Sequence, residues 1–324
     1  MVSSAAPLRV VFFGTPDFAV PTLQALQESR HPVVAVVTQP DRARGRGHHS
    51  QKGPVKQLAE QHGLPILQPE RLRDEAFLDA LRSLDADLGV VAAYGKILTD
   101  EVLGIPKRGL INVHASLLPK YRGAAPIHRA VMAGEMVTGV TIMRVVKALD
   151  AGPMIAKATR AIDPNETSAD VERDIAQLGA RALVDAVDAL ASGRAVETPQ
   201  NDADATYAHK IEKTDGIVDW SKSASAIHNQ IRGLHPWPHA YSDLQGERII
   251  LLRSEPERDL PGSRAEPGTV IDAHSDQFRV QTGDGVLRLL MLQREGRRPL
   301  TAREFLAGRR IGPGARFLIS RSAS

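Results

Sequence analysis

The chain of 324 residues is 42% hydrophobic, enough for two domains with buried cores, and only 4% aromatic, so aliphatic side chains must fill them. It contains no cysteine, which excludes disulfides, thiolate metal sites and thiol nucleophiles and fits a cytoplasmic protein. No apolar run reaches the roughly eighteen residues of a membrane span, and Met1 to Pro7 lacks the basic-then-apolar order of a signal peptide; the net charge of +3 permits a nucleic-acid partner without requiring one.

Leu8 to Phe13, Val33 to Thr38 and Leu88 to Ala93 are short runs apolar on both faces, the pattern of buried parallel strands. Helix-like stretches lie between and after them, at Ala19 to Ser29, Gly53 to His62 and Asp74 to Leu84. This alternation predicts an open α/β sheet with helices on both faces. Gly109 to His114 and Gly139 to Val146 add two strands, and Glu172 to Ser192 a long amphipathic helix. A first domain over 1–194 is therefore expected, followed by a polar linker over 195–208. Beyond it, Asp219 to Gly233 reads as a helix with Ser221 as its N-cap. Five short alternating segments follow: Ala240–Leu244, Arg248–Leu252, Gly268–Asp272, Phe278–Thr282 and Val286–Leu292, with glycines between several of them. They predict a small β-barrel over 209–324, of the oligonucleotide-binding kind. From Ala205 onward there are 18 lysines and arginines against 14 acids, which suits either a nucleic-acid-binding surface or a barrel that only packs on its neighbour.

The densest polar cluster begins on the strand ending at His114. Asn112 and His114 are two residues apart and project from one face of a strand. Ser116-Leu117-Leu118-Pro119 and Lys120-Tyr121-Arg122-Gly123 follow as irregular backbone. In an open α/β sheet, the loop beyond a strand's carboxyl end is where ligands bind. Asp150, after the Gly139–Val146 strand, offers a carboxylate. An amide, an imidazole and a carboxylate suit acyl transfer to an amine, which needs an oxyanion donor and a proton carrier but no enzyme nucleophile. Taken singly, Asn112 and Asp150 serve equally well as turn residues, and His114 as a structural one. Gly14-Thr15-Pro16-Asp17-Phe18 is a turn after the first strand; no G-x-G-x-x-G is present, so no dinucleotide site is read from it. Trp237, between two prolines, is expected to be a packing anchor between the domains rather than a stacking platform.

Jointly, Asn112-Val113-His114, SLLPKYRGAAPI from Ser116 and LDAG around Asp150 closely resemble the formyltransferases that use 10-formyltetrahydrofolate. The resemblance extends over nearly the whole chain. It includes VFFGTPDFAVPTL from Val11, QPDRARGRG from Gln39, AYGKIL from Ala93, HPWP from His235 and TGDG from Thr282. It is strongest to the branch acting on methionyl initiator tRNA. It implies a Rossmann-like domain with a mainly parallel sheet, followed by the barrel. It also implies catalytic Asn112, His114 and Asp150, folate contacts at Ser116, Leu117, Leu118 and Pro119, 10-formyltetrahydrofolate as formyl donor, and no metal. Ala148 and Ala151 depart from the family's usual Gly and Thr around the acid. A monomer is expected.

Asp41 to Lys56 carries Arg42, Arg44, Arg46, Lys52 and Lys56 against a single acid, with three glycines. Read alone, it is a solvated cationic loop or one that follows phosphates. The resemblance implies the latter: Arg42, Arg44 and Arg46 would bind the acceptor end of tRNA, with Arg46 reading its first base pair.

Overall fold

The structure, a computed structural model, describes residues 6–43, 50–258 and 265–319. Its contacts divide the chain into two compact units. The first comprises Met1–Gly123, Val137–Arg160 and Glu172–Ala208; the second comprises Ala124–Met136, Ala161–Val171 and His209–Ser324.

The first unit is built on a seven-stranded sheet. Its strands are β1 (Val10–Gly14), β2 (Val33–Val37), β3 (Ile66–Leu67), β4 (Leu88–Ala92), β5 (Leu110–His114), β6 (Val137–Arg144) and β7 (Met154–Ala161), in the order β7-β6-β5-β4-β1-β2-β3. Neighbours from β3 to β5 are parallel, and β6 runs antiparallel to β5. The β-branched and aromatic runs of β1, β2 and β4 are buried on both faces, as covered parallel strands must be. The α-helices among the described residues are α1 (Val20–Glu28), α2 (Pro54–Gln61), α3 (Glu75–Ser83), α4 (Asp100–Leu103), α5 (Pro126–Met132), α6 (Ser168–Ala191), α7 (Ala224–Gly233) and α8 (Ala302–Ala307). Proline in the first turn of α1, α2 and α5 costs no hydrogen bond there and presets φ for the helix.

Two contacts matter for the site. Gly179 lets α6 close on β5, since a Cβ there would lie 2.8 Å from Val113 Cγ1. Val113 thus faces the helix, and Asn112 and His114 take the opposite face. The strand order also reverses between β1 and β4, which opens the crevice where ligands bind in such sheets. There the Tyr94 carbonyl accepts from Thr15 Oγ1 (3.2 Å) and Gln39 Nε2 (2.8 Å). The GTP turn, the QPD segment and the AYG segment therefore meet at one point.

The second unit carries β8 (Ala240–Leu244), β9 (Glu247–Glu257), β10 (Val270–His274), β11 (Gln277–Gln281), β12 (Val286–Arg294), β13 (Pro299–Thr301) and β14 (Phe317–Leu318). Their order is β10-β11-β12-β9-β8-β14, with β13 beside β12, and the paired strands are antiparallel. Its core stacks Phe278 on Phe305 and sets Phe317 against Trp220, whose Nε1 donates to Ser242 Oγ at 2.9 Å. Arg129 of α5 forms a two-pronged pair with Asp215, both contacts 2.9 Å.

Several elements differ from expectation. The strands β3, β7, β13 and β14 were not legible; β7 alternates half-buried with exposed residues and carries little apolar signal. α7 starts at Ala224 with Ser223, not Ser221, as its cap: the Ser223 hydroxyl accepts from Ala226 N–H, whereas Ser221 bonds Asp219 in the preceding turn. Trp237 is 50% exposed, so it is not buried as a packing anchor; the buried tryptophan is Trp220, in the core of the second unit. The polar stretch 195–208 lies against the first unit, with Thr198 exchanging backbone hydrogen bonds with Met154 (both 2.8 Å) and Tyr207–Ala208 pairing with Arg122–Gly123.

Candidate active site

Asn112 and His114 lie at the carboxyl end of β5, paired across the ladder with Met143 and Thr141 of β6. β6 runs back past β5, and the segment after it returns to bring Asp150 beside His114. A close approach makes this return possible: a Cβ on Gly152 would run into the Arg144 carbonyl. Asp150 itself adopts φ 47°, a left-handed conformation that an L-residue holds only under constraint from its surroundings.

The His114 ring is buried and fixed at Nε2, which donates to the Tyr121 carbonyl at 3.0 Å; a carbonyl can only accept, so this nitrogen carries the proton. Nδ1 faces Asp150 Oδ2 at 3.6 Å, an ion-pair distance too long for a hydrogen bond. The same Oδ2 accepts instead from Gly123 N–H at 2.8 Å. Tyr121, rather than Asp150, therefore orients the imidazole, and Asp150 stands beside its free nitrogen. The Asn112 amide is half-buried and bonds no other described residue, so its donors are open to a substrate. These three groups thus converge on one face of β5.

Ser116 to Pro119 form the adjoining loop, held from beneath. The fully buried Thr141 hydroxyl donates to Ser116 O at 2.7 Å and accepts from Leu118 N–H at 3.1 Å. Ser116 Oγ donates to Lys120 O at 2.6 Å, and Lys157 Nζ to Leu118 O at 2.6 Å. Leu117 and Pro119 remain partly exposed. Neither Thr141 nor Lys157 has a local signature; a strand threonine and a strand lysine look like ordinary surface alternation.

Of the cationic loop, Arg44 and Arg46 lie outside the described residues. Arg42 pairs through its backbone with Gln51 in a two-stranded ribbon. The ribbon's base is fixed by Lys56, which bonds Asp41 at 2.6 Å, while Gln68 donates to Asp41 at 2.9 Å. Both bonds hold the Asp41 carboxyl below its usual range.

A family model described as formyl transferase matches residues 8–187, and one described as formyl transferase, C-terminal domain, matches residues 210–310. A methionyl-tRNA formyltransferase of Heliobacterium modesticaldum is 46% identical over 316 residues, covering 96% of this chain and all of the relative. The chain belongs to the methionyl-tRNA formyltransferase family. Another member, from Citrifermentans bemidjiense, is 46% identical over 307 residues, covering 95% of each chain. Among solved structures, the N-formyltransferase of Helicobacter canadensis, in complex with folinic acid and dTDP-3-aminofucose, aligns with a TM-score of 0.67 at 17% identity. That alignment covers 87% of this chain and 99% of the other. HypX of Aquifex aeolicus, in complex with tetrahydrofolic acid, aligns at 0.62 and 18% identity over 92% of this chain, which spans 47% of HypX. At such identities these structures establish the family's fold.

Proposed function

We propose that the chain transfers a formyl group from 10-formyltetrahydrofolate to the α-amine of methionyl initiator tRNA, giving formylmethionyl-tRNA for translation initiation. The observation carrying this reading is the open Asn112 amide beside His114 and Asp150, in a chain whose relatives act on methionyl-tRNA over its full length. The uncharged amine attacks the formyl carbon; a C–N bond forms and the carbonyl oxygen becomes an oxyanion. The Asn112 amide donates to that oxyanion, and His114 in its charged form adds a second donor. Because Nε2 is committed to Tyr121, the donor of the charged ring is Nδ1–H, so the amine's proton falls to the Asp150 carboxylate beside it while Nδ1–H can supply the leaving nitrogen. The proton shed by the amine passes to this pair and is returned to the departing folate nitrogen as its bond to the formyl carbon breaks, so the pair ends unchanged. The loop at Ser116, Leu117, Leu118 and Pro119 contacts the folate, and Arg42, Arg44 and Arg46 hold the tRNA acceptor end. The enzyme works in the cytoplasm as a monomer; no helix among the described residues is long and apolar enough to cross a membrane.

The test is formyl transfer from 10-formyltetrahydrofolate to methionyl initiator tRNA, with methionyl elongator tRNA and an amino-sugar nucleotide in parallel. Marked preference for the initiator supports the proposal. Transfer to the sugar alone would overturn the acceptor while keeping the chemistry, and transfer to none would overturn both.

A further inference from the structure

Gln200 sits in the polar stretch 195–208, yet its side chain makes four hydrogen bonds to nitrogen and oxygen partners, besides a long contact from Nε2 to Met143 Sδ at 4.0 Å. Nε2 donates to the backbone carbonyls of Asp150 and Gly152, both at 2.8 Å. Oε1 accepts from Arg122 Nε at 3.0 Å and Nη2 at 2.8 Å. Carbonyls only accept and a guanidinium only donates, so the amide can be oriented one way only. Both of its donors and both of its lone pairs are used.

What it joins are the two segments that set the His114–Asp150 geometry. On one side is the turn holding Asp150 at φ 47°; on the other is Arg122, a buried cation flanked by Tyr121, whose carbonyl fixes the His114 ring, and by Gly123, whose N–H holds the Asp150 carboxylate. The same stretch reinforces the second segment. Thr206 Oγ1 accepts from Tyr121 N–H at 2.9 Å, Thr206 O accepts from Arg122 N–H at 2.8 Å, and Asp202 pairs with Arg122 Nη2 at 2.7 Å. Remove the Gln200 amide and the backbone of the Asp150 turn loses its tie to the segment that orients the imidazole, leaving only the bond from Gly123 N–H to the Asp150 carboxylate.

We infer that Gln200 is a positioning residue of the reaction, acting through the Asp150 turn and Arg122 to fix the carboxylate at the free nitrogen of His114. The inference rests on the formyl-transfer reading for its kinetic test but not for its spectroscopic one. Glutamate is the discriminating substitution. Gln200→Glu keeps the length and offers Arg122 an ion pair, so the buried cation stays partnered. It has no donor for the Asp150 and Gly152 carbonyls and sets a carboxylate against them. Gln200→Asn keeps the chemistry but falls one methylene short of spanning both segments.

The experiment uses the full chain. Wild-type formyl transfer is measured first, and its success or failure judges the proposed function alone. In Gln200→Glu, kcat is expected to fall about 10- to 100-fold, the scale of a misplacement near 1 Å, with KM for folate and tRNA unchanged and the protein still folded. Gln200→Asn falls between this variant and wild type. Combined with Asp150→Asn, Gln200→Glu costs little more, because the two act as one unit. Independently of any substrate, the His114 ring resonances of 15N-labelled protein, assigned by their loss in His114→Gln, are displaced in Gln200→Glu relative to wild type at one fixed pH. Folded Gln200→Glu with wild-type kcat would overturn the inference, as would His114 ring resonances superimposable on wild type, whatever the enzyme's acceptor proves to be.

Discussion

Replacing Thr141 by valine removes one oxygen while keeping the shape of the side chain, and so isolates the support beneath the Ser116–Pro119 loop. The hydroxyl satisfies two backbone groups at once, the Ser116 carbonyl at 2.7 Å and the Leu118 N–H at 3.1 Å. Thr141, Ser116 and Leu118 are 0%, 1% and 1% exposed, so water cannot take over. Each orphaned group costs about 1–3 kcal/mol, and the methyl that replaces the hydroxyl recovers about 1 kcal/mol through burial, leaving about 3 kcal/mol of net loss. For a unit of this size, 1 kcal/mol moves Tm by roughly 2–4 °C, so the transition of the first unit should drop by about 6–12 °C. Differential scanning calorimetry measures it, with Thr141→Ser as the control that keeps both hydrogen bonds and loses only a methyl. A Thr141→Val protein melting within a degree of wild type, or no lower than Thr141→Ser, would refute the view that this hydroxyl holds the loop.

Asn112→Ala and His114→Ala should fold normally but lose about 100- to 1000-fold in turnover, the scale of one oxyanion donor; retention of a tenth of wild-type turnover in either removes that residue from the mechanism. Arg46→Ala should weaken formylation of initiator tRNA while leaving folate affinity intact, and equal formylation rates would dismiss Arg46 as a reader of the acceptor end. Tyr94 is buried edge-on against Phe13, its hydroxyl bonds no described residue, and burial pushes its pKa up to about 12. Tyr94→Phe removes an unsatisfied group and should match wild type or gain about 1 kcal/mol in urea unfolding; a loss of that size would mean that the hydroxyl has a partner. Burial holds the His228 imidazole below its ordinary value of 6.5, the Arg232 charge adding to this, against opposing hydrogen bonds with Pro164 and Ser254. A depressed histidine means that the unfolded chain binds the proton first. Its contribution is full above about pH 6.5 and is lost as pH falls from there toward the folded value. Tm measured from pH 7.5 to 5 should therefore fall less steeply in His228→Gln than in wild type, and identical slopes would contradict the assignment.

Much of the fold was legible because its signals are local. The runs of β1, β2 and β4 are apolar on both faces, as strands of a covered parallel sheet are; prolines and glycines mark where the helices begin and the turns fall. Asn112 and His114 were legible for a similar reason, since spacing by two on a strand dictates a shared face. What the sequence by itself determined is therefore the order of the elements, the residue types offered at the end of β5, and the family to which their joint pattern belongs. Only the tertiary structure decided how those groups are held. The His114 ring is oriented by the Tyr121 backbone carbonyl, and a backbone group has no side-chain identity to read. Gln200 reaches Asp150 across 50 positions and Arg122 across 78, and Thr141 supports a loop 23 to 25 residues away. Such pairings exist because the sheet brings β5, β6 and the stretch after α6 together; before folding closes those distances, a glutamine among polar residues is indistinguishable from any other solvated side chain.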